Sequence, residues 1–361
     1  ILGDASGGIA HLGERECSVQ RHFQKIIEVA PAPGLDAALR SEIIDAAVRL
    51  ADSVSYTNAG TFEFLVDVSG TQERQPFAFI EANARLQVEH TVTEEVTGVD
   101  IVKAQLRIAE GATIADLGLD DPSVAEPRGY AIQARVCMET VREDGSIHPT
   151  SGTLTAYEAP SGPGVRTDGF GYGGYETSLL YDSLLAKVIG HSPSREFADA
   201  IARTSRALSE FRVEGVETNV AFLQSILAHE DFATGHIHTR FVDQEMMGLA
   251  AAMAGHERFV APIGGSISAA PTGADDLDRP VGPDGSVGLT SPMQGTIVAI
   301  DVALGDEVRV GQTVAVVEAM KLQHDIKAGS SGVVCEISMA VGDIVREGYP
   351  IVFINETEIE G

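Results

Sequence analysis

The sequence has no tryptophan, only three cysteines and no long hydrophobic run. Cys17, Cys137 and Cys335 are widely spaced, so they form no recognisable metal-binding motif and are typical of a protein in a reducing cytoplasm. No apolar stretch is long enough to cross a bilayer, and no signal peptide is recognisable. These absences predict a soluble, cytoplasmic protein.

Positive charge is also scarce. Lys and Arg total 25 against 53 Asp and Glu among 361 residues, which gives a net charge of −28. Such an acidic surface repels nucleic acids and anionic membranes, so we expect neither as a partner. An anionic substrate would need a local cluster of cations or a metal ion. Hydrophobic residues, in contrast, make up 44% of the chain, which is ample for packed cores.

The length predicts two or three domains. Composition changes most sharply between about Gly248 and Gly288, where Gly, Pro, Ala, Ser and Asp replace the periodic apolar residues. This change indicates a flexible linker, which we place at 246–286. The linker separates a large region of alternating strand and helix patterns from a compact C-terminal module at 287–355.

The C-terminal module contains an internal repeat. The run "GTIVAIDVALGDEVRVGQTVAVV" from Gly295 matches "GVVCEISMAVGDIVREGYPIVFI" from Gly332. Each copy alternates apolar and polar residues and turns at a Gly-Asp pair. Neither copy can bury its apolar face alone, so the repeat predicts a flattened all-β sandwich with pseudo-twofold symmetry.

The stretch "VVEAMKLQHD" places Lys321 where the first repeat passes into the second. A chain that crosses between symmetric halves needs a tight hairpin, so we expect Lys321 at an exposed tip. The tetrapeptide Ala319-Met320-Lys321-Leu322 resembles the Ala-Met-Lys signature of biotinyl carrier domains. The resemblance implies biotin on Lys321 in an amide bond, added by a biotin protein ligase. The alternative is an ordinary solvated lysine.

Two strand-like runs in the large region carry acidic residues. If "TFEFLVDV" and "PFAFIEAN" form an antiparallel hairpin, Glu63 lies opposite Glu81 and both point to one face, with Asn83 on the same face. Opposed carboxylates repel unless a proton or cation lies between them, and Mg²⁺ suits carboxylates combined with substrate phosphates. The alternative is a solvated hairpin face with incidental acids.

A second polar series follows directly. Arg85, Gln87 and Glu89 are spaced by two, so they share one face if the segment is extended. A guanidinium, an amide and a carboxylate in a row can bind and deprotonate a small oxyanion. The alternative is a half-solvated strand of mixed charge.

These residues lie in a segment that resembles biotin carboxylase, an ATP-grasp enzyme. "EANARLQVEH" resembles that family's Glu-Met-Asn-Thr-Arg-Ile-Gln-Val-Glu-His, and "GYAIQARVCMET" resembles its Gly-His-Ala-Ile-Glu-Cys-Arg. "GERECSVQRHFQK" and "YDSLLAKVIGH" also have counterparts. The implied fold is α+β: the C-terminal part of an ATP-grasp domain at 1–122 and a biotin carboxylase C-terminal domain at 123–245, followed by the all-β biotinyl/lipoyl-like sandwich.

Carried over by position, the resemblance implies a role for each matching side chain. Glu63, Glu81 and Asn83 would bind Mg²⁺ or Mn²⁺, and Gln20 would contact ATP. The bicarbonate pocket would contain Lys25, Arg85, Gln87, Val88 and Glu89, with Glu89 as the general base, and Arg135 would stabilise the biotin enolate. Where many members have Arg-His before Gln-Lys, this chain has His22-Phe23, so His22 is an open candidate for the ATP contact.

The implied function is ATP-dependent carboxylation of biotin by bicarbonate and transport of the carboxyl group, within an acyl-CoA carboxylase of fatty acid biosynthesis. A carboxyltransferase would be the partner, and a homodimer is expected by analogy. The family has a longer N-terminal region with a Gly-rich lid, so we expect a fragment. The alternatives are a non-catalytic carrier with a docking region, and part of a pyruvate or urea carboxylase.

Overall fold

A computed structural model of the chain describes residues 1–68, 76–142, 144–178, 182–253, 280, 282–283, 285–319 and 322–356. The chain forms two compact units, largely within residues 1–261 and 262–361. Across the described ranges, no helix combines the length and apolar character needed to cross a membrane. Much of the predicted linker lies outside the described residues, but helical structure extends into its start, as far as Ala251.

The larger unit mixes helices with short and medium strands. The helices are α1 Ala37–Ser53, α2 His90–Thr97, α3 Ile101–Ala109, α4 Phe197–Glu210, α5 Val220–Ala228, α6 Glu230–Ala233 and α7 Phe241–Ala251. The strands are β1 Leu2–Gly3, β2 Ile9–Ala10, β3 Glu16–Arg21, β4 Gln24–Ala30, β5 Asn58–Ala59, β6 Thr61–Val66, β7 Phe77–Asn83, β8 Tyr130–Cys137, β9 Glu139–Val141, β10 Ile147–Pro149, β11 Ala156–Glu158, β12 Val165–Gly169, β13 Leu184–Ser192 and β14 Arg212–Glu214.

An antiparallel five-stranded sheet of order β12-β13-β8-β4-β3 forms the centre of this unit. Successive side chains of β4 and β8 point to opposite faces of this sheet, one apolar and one polar. Ile27, Val29 and Ile132 are fully buried in the main hydrophobic core, together with residues of α4 and α5. Glu28 and Gln133 oppose each other in the register and therefore share the other face of the sheet. This face carries polar groups toward the candidate site.

Two helix boundaries of the larger unit differ in how they are stabilised. Gly111 has a left-handed φ of 100° just after α3, as expected for a residue that ends a helix. Asn219 precedes α5, where asparagine often caps a helix, but its side chain makes no capping hydrogen bond. It binds β8 instead, accepting from the Cys137 amide at 2.8 Å and donating to the Arg135 carbonyl at 3.1 Å. The tertiary contact with β8 therefore replaces the local cap.

The smaller unit confirms the predicted all-β sandwich. Its strands are β15 Val287–Thr290, β16 Gly295–Ile300, β17 Glu307–Val308, β18 Thr313–Ala319, β19 Leu322–Lys327, β20 Gly332–Ile337, β21 Ile344–Val345 and β22 Pro350–Glu356. They form two four-stranded sheets, β15-β22-β20-β17 and β19-β18-β16-β21. Buried aliphatic side chains from both repeats, including Ile297 and Val334, fill the space enclosed by the strands.

The two Gly-Asp turns of the repeat have matching geometry. Gly305 and Gly342 have φ values of 92° and 99°, which glycine tolerates without steric cost. Asp306 accepts from the Ala303 amide and Asp343 from the Ala340 amide, both at 2.8 Å. The same local hydrogen bond thus sets the turn in each half, as the repeat predicts.

The strands on either side of Lys321 are paired as the hairpin prediction requires. β18 and β19 are antiparallel, and their register joins Ala319 to Leu322. Met320 and Lys321 themselves lie outside the described residues. The exposure predicted for the lysine therefore stays a prediction.

Asp4 provides a test of pH-dependent stability in the larger unit. The Ser6 hydroxyl and the Ile114 and Gly8 amides donate to its carboxylate and lower its pKa from 3.8 to about 2. Because the folded-state pKa is depressed, this carboxylate stabilises the fold above about pH 4, and the contribution is lost as the pH falls toward 2. Asp4→Asn should therefore reduce the free energy of unfolding by about 1–2 kcal/mol at neutral pH and by less near pH 2.

Urea unfolding of the wild type and Asp4→Asn across this pH range measures the difference. Asp52→Asn, at an exposed position of α1, serves as the control. A difference that stays constant with pH would contradict the assignment.

Candidate functional site

The acid-lined hairpin forms with the predicted pairing. β6 and β7 are antiparallel, with Glu63 opposite Glu81 and Thr61 opposite Asn83. Asn83 Nδ2 donates to Glu63 Oε1 at 3.2 Å and to Glu81 Oε1 at 2.8 Å. After this pair the register shifts by one residue, so Phe64 lies opposite Phe79 and the pairing that joins Glu63 to Glu81 does not continue toward the turn.

The hairpin offers an oxygen-rich set of donors for a cation. Glu63 and Glu81 offer carboxylate oxygens, the hard donors that Mg²⁺ prefers. Asn83 would offer its amide oxygen after its side chain turns, because its nitrogen faces the two carboxylates in this structure. In the described part of the chain, no cluster of three or more His, Cys, Asp or Glu side chains could hold a metal ion. The two carboxylates and one amide of the hairpin fit a Mg²⁺ that retains water or phosphate ligands, and they are too few for a closed protein cage.

The segment from Arg85 to Glu89 is not a strand. β7 ends at Asn83 and α2 begins at His90, so the residues between them form a connecting loop. Gln87 and Glu89 are buried, whereas Arg85 is exposed and donates to the Leu86 carbonyl at 3.3 Å. The predicted single polar face, which required an extended chain, is therefore wrong.

The loop still brings its buried polar groups to the acid-lined hairpin. Gln87 Nε2 donates to Glu63 Oε1 at 2.7 Å, and Arg15 holds the Gln87 oxygen at 2.9 Å. The Val88 carbonyl accepts from Lys187 Nζ at 3.1 Å. Contacts from three separate parts of the chain thus fix a loop that has no hydrogen-bonded ladder of its own.

Glu89 is buried between two cations. Lys25 Nζ lies 2.7 Å from Glu89 Oε1, and Arg135 Nη2 lies 3.2 Å from Glu89 Oε2. Burial raises the pKa of Glu89, but Arg15 and Lys25 outweigh burial, so the pKa is lowered overall. The carboxylate is therefore ionised and able to accept a proton at neutral pH.

Lys25 connects Glu89 to the hairpin. Its ammonium group lies 3.2 Å from Glu63 Oε1 as well as 2.7 Å from Glu89. Burial lowers the pKa of Lys25, but the carboxylates of Glu89 and Glu63 outweigh this effect, and the pKa is raised. An ammonium that stays charged at neutral pH suits an anionic ligand at this point.

The β3–β4 hairpin carries the remaining predicted site residues. Gln20 lies opposite Lys25 in the register. His22 and Phe23 form the turn with left-handed φ values of 45° and 64°, a conformation that turns usually assign to Asn or Gly. His22 is exposed and the Phe23 side chain is 94% exposed. Both side chains project into solvent, and the nucleotide contact considered for His22 stays a prediction.

Sequence reasoning missed four polar residues that complete the site, two of them buried and two half-buried. They come from β4, β8, β13 and the segment before β3, and alternation along β8 was the one available signal, since it places Gln133 beside Arg135. The missed residues are Arg15, Glu28, Gln133 and Lys187.

Three family models match successive parts of the chain. The model described as carbamoyl-phosphate synthase L chain, ATP binding domain, matches 1–117. The biotin carboxylase C-terminal domain matches 133–244, and the model described as biotin-requiring enzyme matches 287–354. Their order agrees with the order expected from the sequence.

Curated relatives are longer than this chain. Mitochondrial pyruvate carboxylase of Homo sapiens is 47% identical over 245 residues, 68% of this chain and 20% of that protein. Biotin carboxylase 1 of Bacillus subtilis is 43% identical over 249 residues, 69% of this chain and 53% of that protein. The chain thus spans from a fifth to about half of these relatives' length.

Solved structures of carboxylases are similar to this chain in sequence and fold. A single-chain, multi-domain long-chain acyl-CoA carboxylase is 39% identical, with a TM-score of 0.63, over 97% of this chain and 33% of that chain. The biotin carboxylase domain of a thermophilic 2-oxoglutarate carboxylase, bound to bicarbonate, is 37% identical with a TM-score of 0.62, over 69% of this chain and 53% of that chain.

Proposed function

Since this chain belongs to the biotin-dependent carboxylases, joining the C-terminal part of a biotin carboxylase to a biotinyl domain, we propose that it takes part in the ATP-dependent carboxylation of biotin by bicarbonate. The matched domains imply covalent biotin, ATP and Mg²⁺ as cofactors. The observation that supports the proposal most directly is the ionised Glu89 carboxylate held between Lys25 and Arg135.

Each charged group has a distinct task in this proposal. Glu89 Oε1 or Oε2 accepts the proton of bicarbonate, since the carboxylate is ionised at neutral pH. Lys25, with Gln87 and the Val88 backbone, binds the resulting anion, and the exposed Arg85 closes over it with two parallel donors. Arg135 donates to oxygen atoms that gain negative charge during transfer.

The hairpin acids would hold the metal. Glu63, Glu81 and Asn83 would provide oxygen ligands, and Gln20 lies on the neighbouring hairpin where a nucleotide contact is expected. When bound, Mg²⁺ would offset phosphate charge, ATP would activate bicarbonate, and biotin on Lys321 would carry the carboxyl group. Donors from Lys25, Asn83 and Gln87 converge on Glu63 Oε1 and hold that carboxylate in position.

We propose an acyl-CoA carboxylase, with a role in fatty acid biosynthesis, as the complete enzyme. The human pyruvate carboxylase matches 68% of this chain, whereas the long-chain acyl-CoA carboxylase matches 97%, so in that protein the carboxylase and carrier regions follow each other as they do here. A pyruvate or urea carboxylase is the alternative. The proposed partners are a carboxyltransferase, a biotin protein ligase and a second copy of the chain. The proposed location is the cytoplasm.

Transfer of labelled carbon tests the proposal. With Mg²⁺ and ATP, radiolabelled bicarbonate should label the biotinylated protein, and omission of either should abolish the label. A known biotin carboxylase added in trans provides the control that the carrier can be carboxylated. Labelling by the protein alone would exclude the carrier with a docking region. If only the added enzyme labels the carrier, this chain does not carry out the carboxylation by itself, and a carboxylase fragment and a docking carrier both account for the result.

A further inference from the structure

The carboxylate of Glu28 lies beneath Arg135 and is completely buried, with 0% exposure. Arg135 Nε donates to Glu28 Oε1 at 2.6 Å, and Arg135 Nη2 pairs with the same oxygen. Gln133 Nε2 donates to Glu28 Oε2 at 2.7 Å. Both hydrogen-bonding partners described for this carboxylate are donors, which suits its ionised form. Burial outweighs the lowering effect of Arg135, and together with the nearby Glu89 it raises the pKa of Glu28, so these two donors are what offset the cost of a charge here.

Gln133 is held in one orientation by its own neighbour. It is also fully buried, and its Oε1 accepts a hydrogen bond from the Thr91 hydroxyl on α2. The amide nitrogen must therefore face Glu28, which lies opposite Gln133 in the β4–β8 register. A carboxylate at position 133, as in the biotin carboxylase run quoted above, would have to share a proton with Glu28. The amide in this chain donates to Glu28 without adding a third carboxylate beside Glu28 and Glu89, the two buried acids that pair with Arg135.

The backbone of Arg135 is fixed as well. Its carbonyl accepts from Asn219 Nδ2 at 3.1 Å, so β8 is anchored to the start of α5 at this residue. On the guanidinium, Nε and Nη2 are occupied by Glu28 and Glu89. Within the part of the chain that the structure describes, Nη1 makes no hydrogen bond to protein. The guanidinium is therefore held at Nε and Nη2, and Nη1 is the nitrogen available to donate to a substrate.

We infer that Glu28, oriented by Gln133, is a positioning residue that directs Arg135 toward the substrate bound beside Glu89. This inference rests on the proposed function. Stability does not explain the arrangement, because a buried ion pair contributes little net stability over an apolar pair of similar size. What the pair provides is a fixed orientation of the Arg135 guanidinium. Its planar donors are in place before substrate arrives and need no reorganisation during the reaction.

Glu28→Gln tests the inference because it removes the charge and keeps the shape. We expect biotin carboxylation to fall by about tenfold or more, while bicarbonate-dependent ATP cleavage without biotin changes by less than about threefold, since Lys25 still holds Glu89. In the NMR spectrum, the Arg135 Nε proton should exchange with solvent about tenfold faster in the variant. Glu28→Asp retains the charge and should restore part of both signals.

The controls separate positioning from general damage. Glu158→Gln breaks an exposed glutamate–Arg212 pair far from the reaction and should leave every readout unchanged. In an Arg135→Met background, Glu28→Gln should lower carboxylation by less than about twofold further, because the two residues act as a unit. Carboxylation at the wild-type rate with an unchanged Arg135 signal would overturn the inference. If the wild type cleaves no ATP, the proposed function fails, and the NMR comparison still decides the role of Glu28.

Discussion

Lys321→Arg should abolish biotin attachment completely. When the protein is produced together with a biotin protein ligase, the wild type gains the mass of biotin less the water lost in forming the amide. The variant gains none, because a guanidinium cannot form that amide bond. The charge is kept, so the sandwich core, in which aliphatic residues such as Val317 and Ile326 are buried, is unaffected. Intact-protein mass spectrometry measures the result directly.

Lys327→Arg is the matched control for this experiment. Lys327 ends β19, the strand that follows the predicted biotinylation site, and it is exposed. Its substitution should leave the added mass unchanged. If biotin remained on the Lys321→Arg protein, the assignment of the carrier lysine would be wrong, whatever the activity of the larger unit.

Glu89→Gln should lower the rate of biotin carboxylation by about 100-fold or more, within the range that general base catalysis contributes. Glutamine has nearly the same shape and can still accept a hydrogen bond from Lys25, but it cannot take a proton from bicarbonate. The lowered pKa of Glu89 also predicts that the wild type keeps this base ionised well below neutral pH. The rate should therefore show no loss attributable to Glu89 between about pH 6 and 8.

Steady-state carboxylation of free biotin, measured with saturating ATP, checks this result. Glu42→Gln, on the exposed side of α1, should behave as the wild type. Thermal unfolding of each variant separates loss of the base from loss of the fold. A Glu89→Gln protein that folds and carboxylates biotin at more than about a tenth of the wild-type rate would refute the role of Glu89 as the base.

The acid-lined hairpin shows how far local patterns extend. Its register depends on two neighbouring strands and the turn between them, so the sequence predicts Glu63 opposite Glu81 from alternation alone. The carrier sandwich is predictable for a related reason, because each repeat encodes its own turn through a Gly-Asp pair. The short range of these interactions is what makes them visible in a linear pattern.

The loop from Arg85 to Glu89 marks the limit of such patterns. Spacing by two predicts a strand, but no neighbouring strand pairs with this segment in the described structure. Side chains distant in sequence, Arg15 and Lys187, hold it instead. Likewise the Asn219 side chain does not cap α5. It contacts β8 instead, because this strand offers a hydrogen bond to its amide oxygen and another to its amide nitrogen.

The sequence by itself therefore determined the domain order, the hairpin register, the repeat sandwich and the residue types of the proposed chemistry, since periodicity and motifs are local properties. Only the tertiary structure decided which charges meet. Glu28 and Arg135 are 107 residues apart in the chain, and Lys25 and Glu89 are 64 apart. Their proximity follows from the order in which β4 and β8 pair and from the packing of α2 on their sheet, and long-range packing of this kind leaves no periodic trace in the sequence.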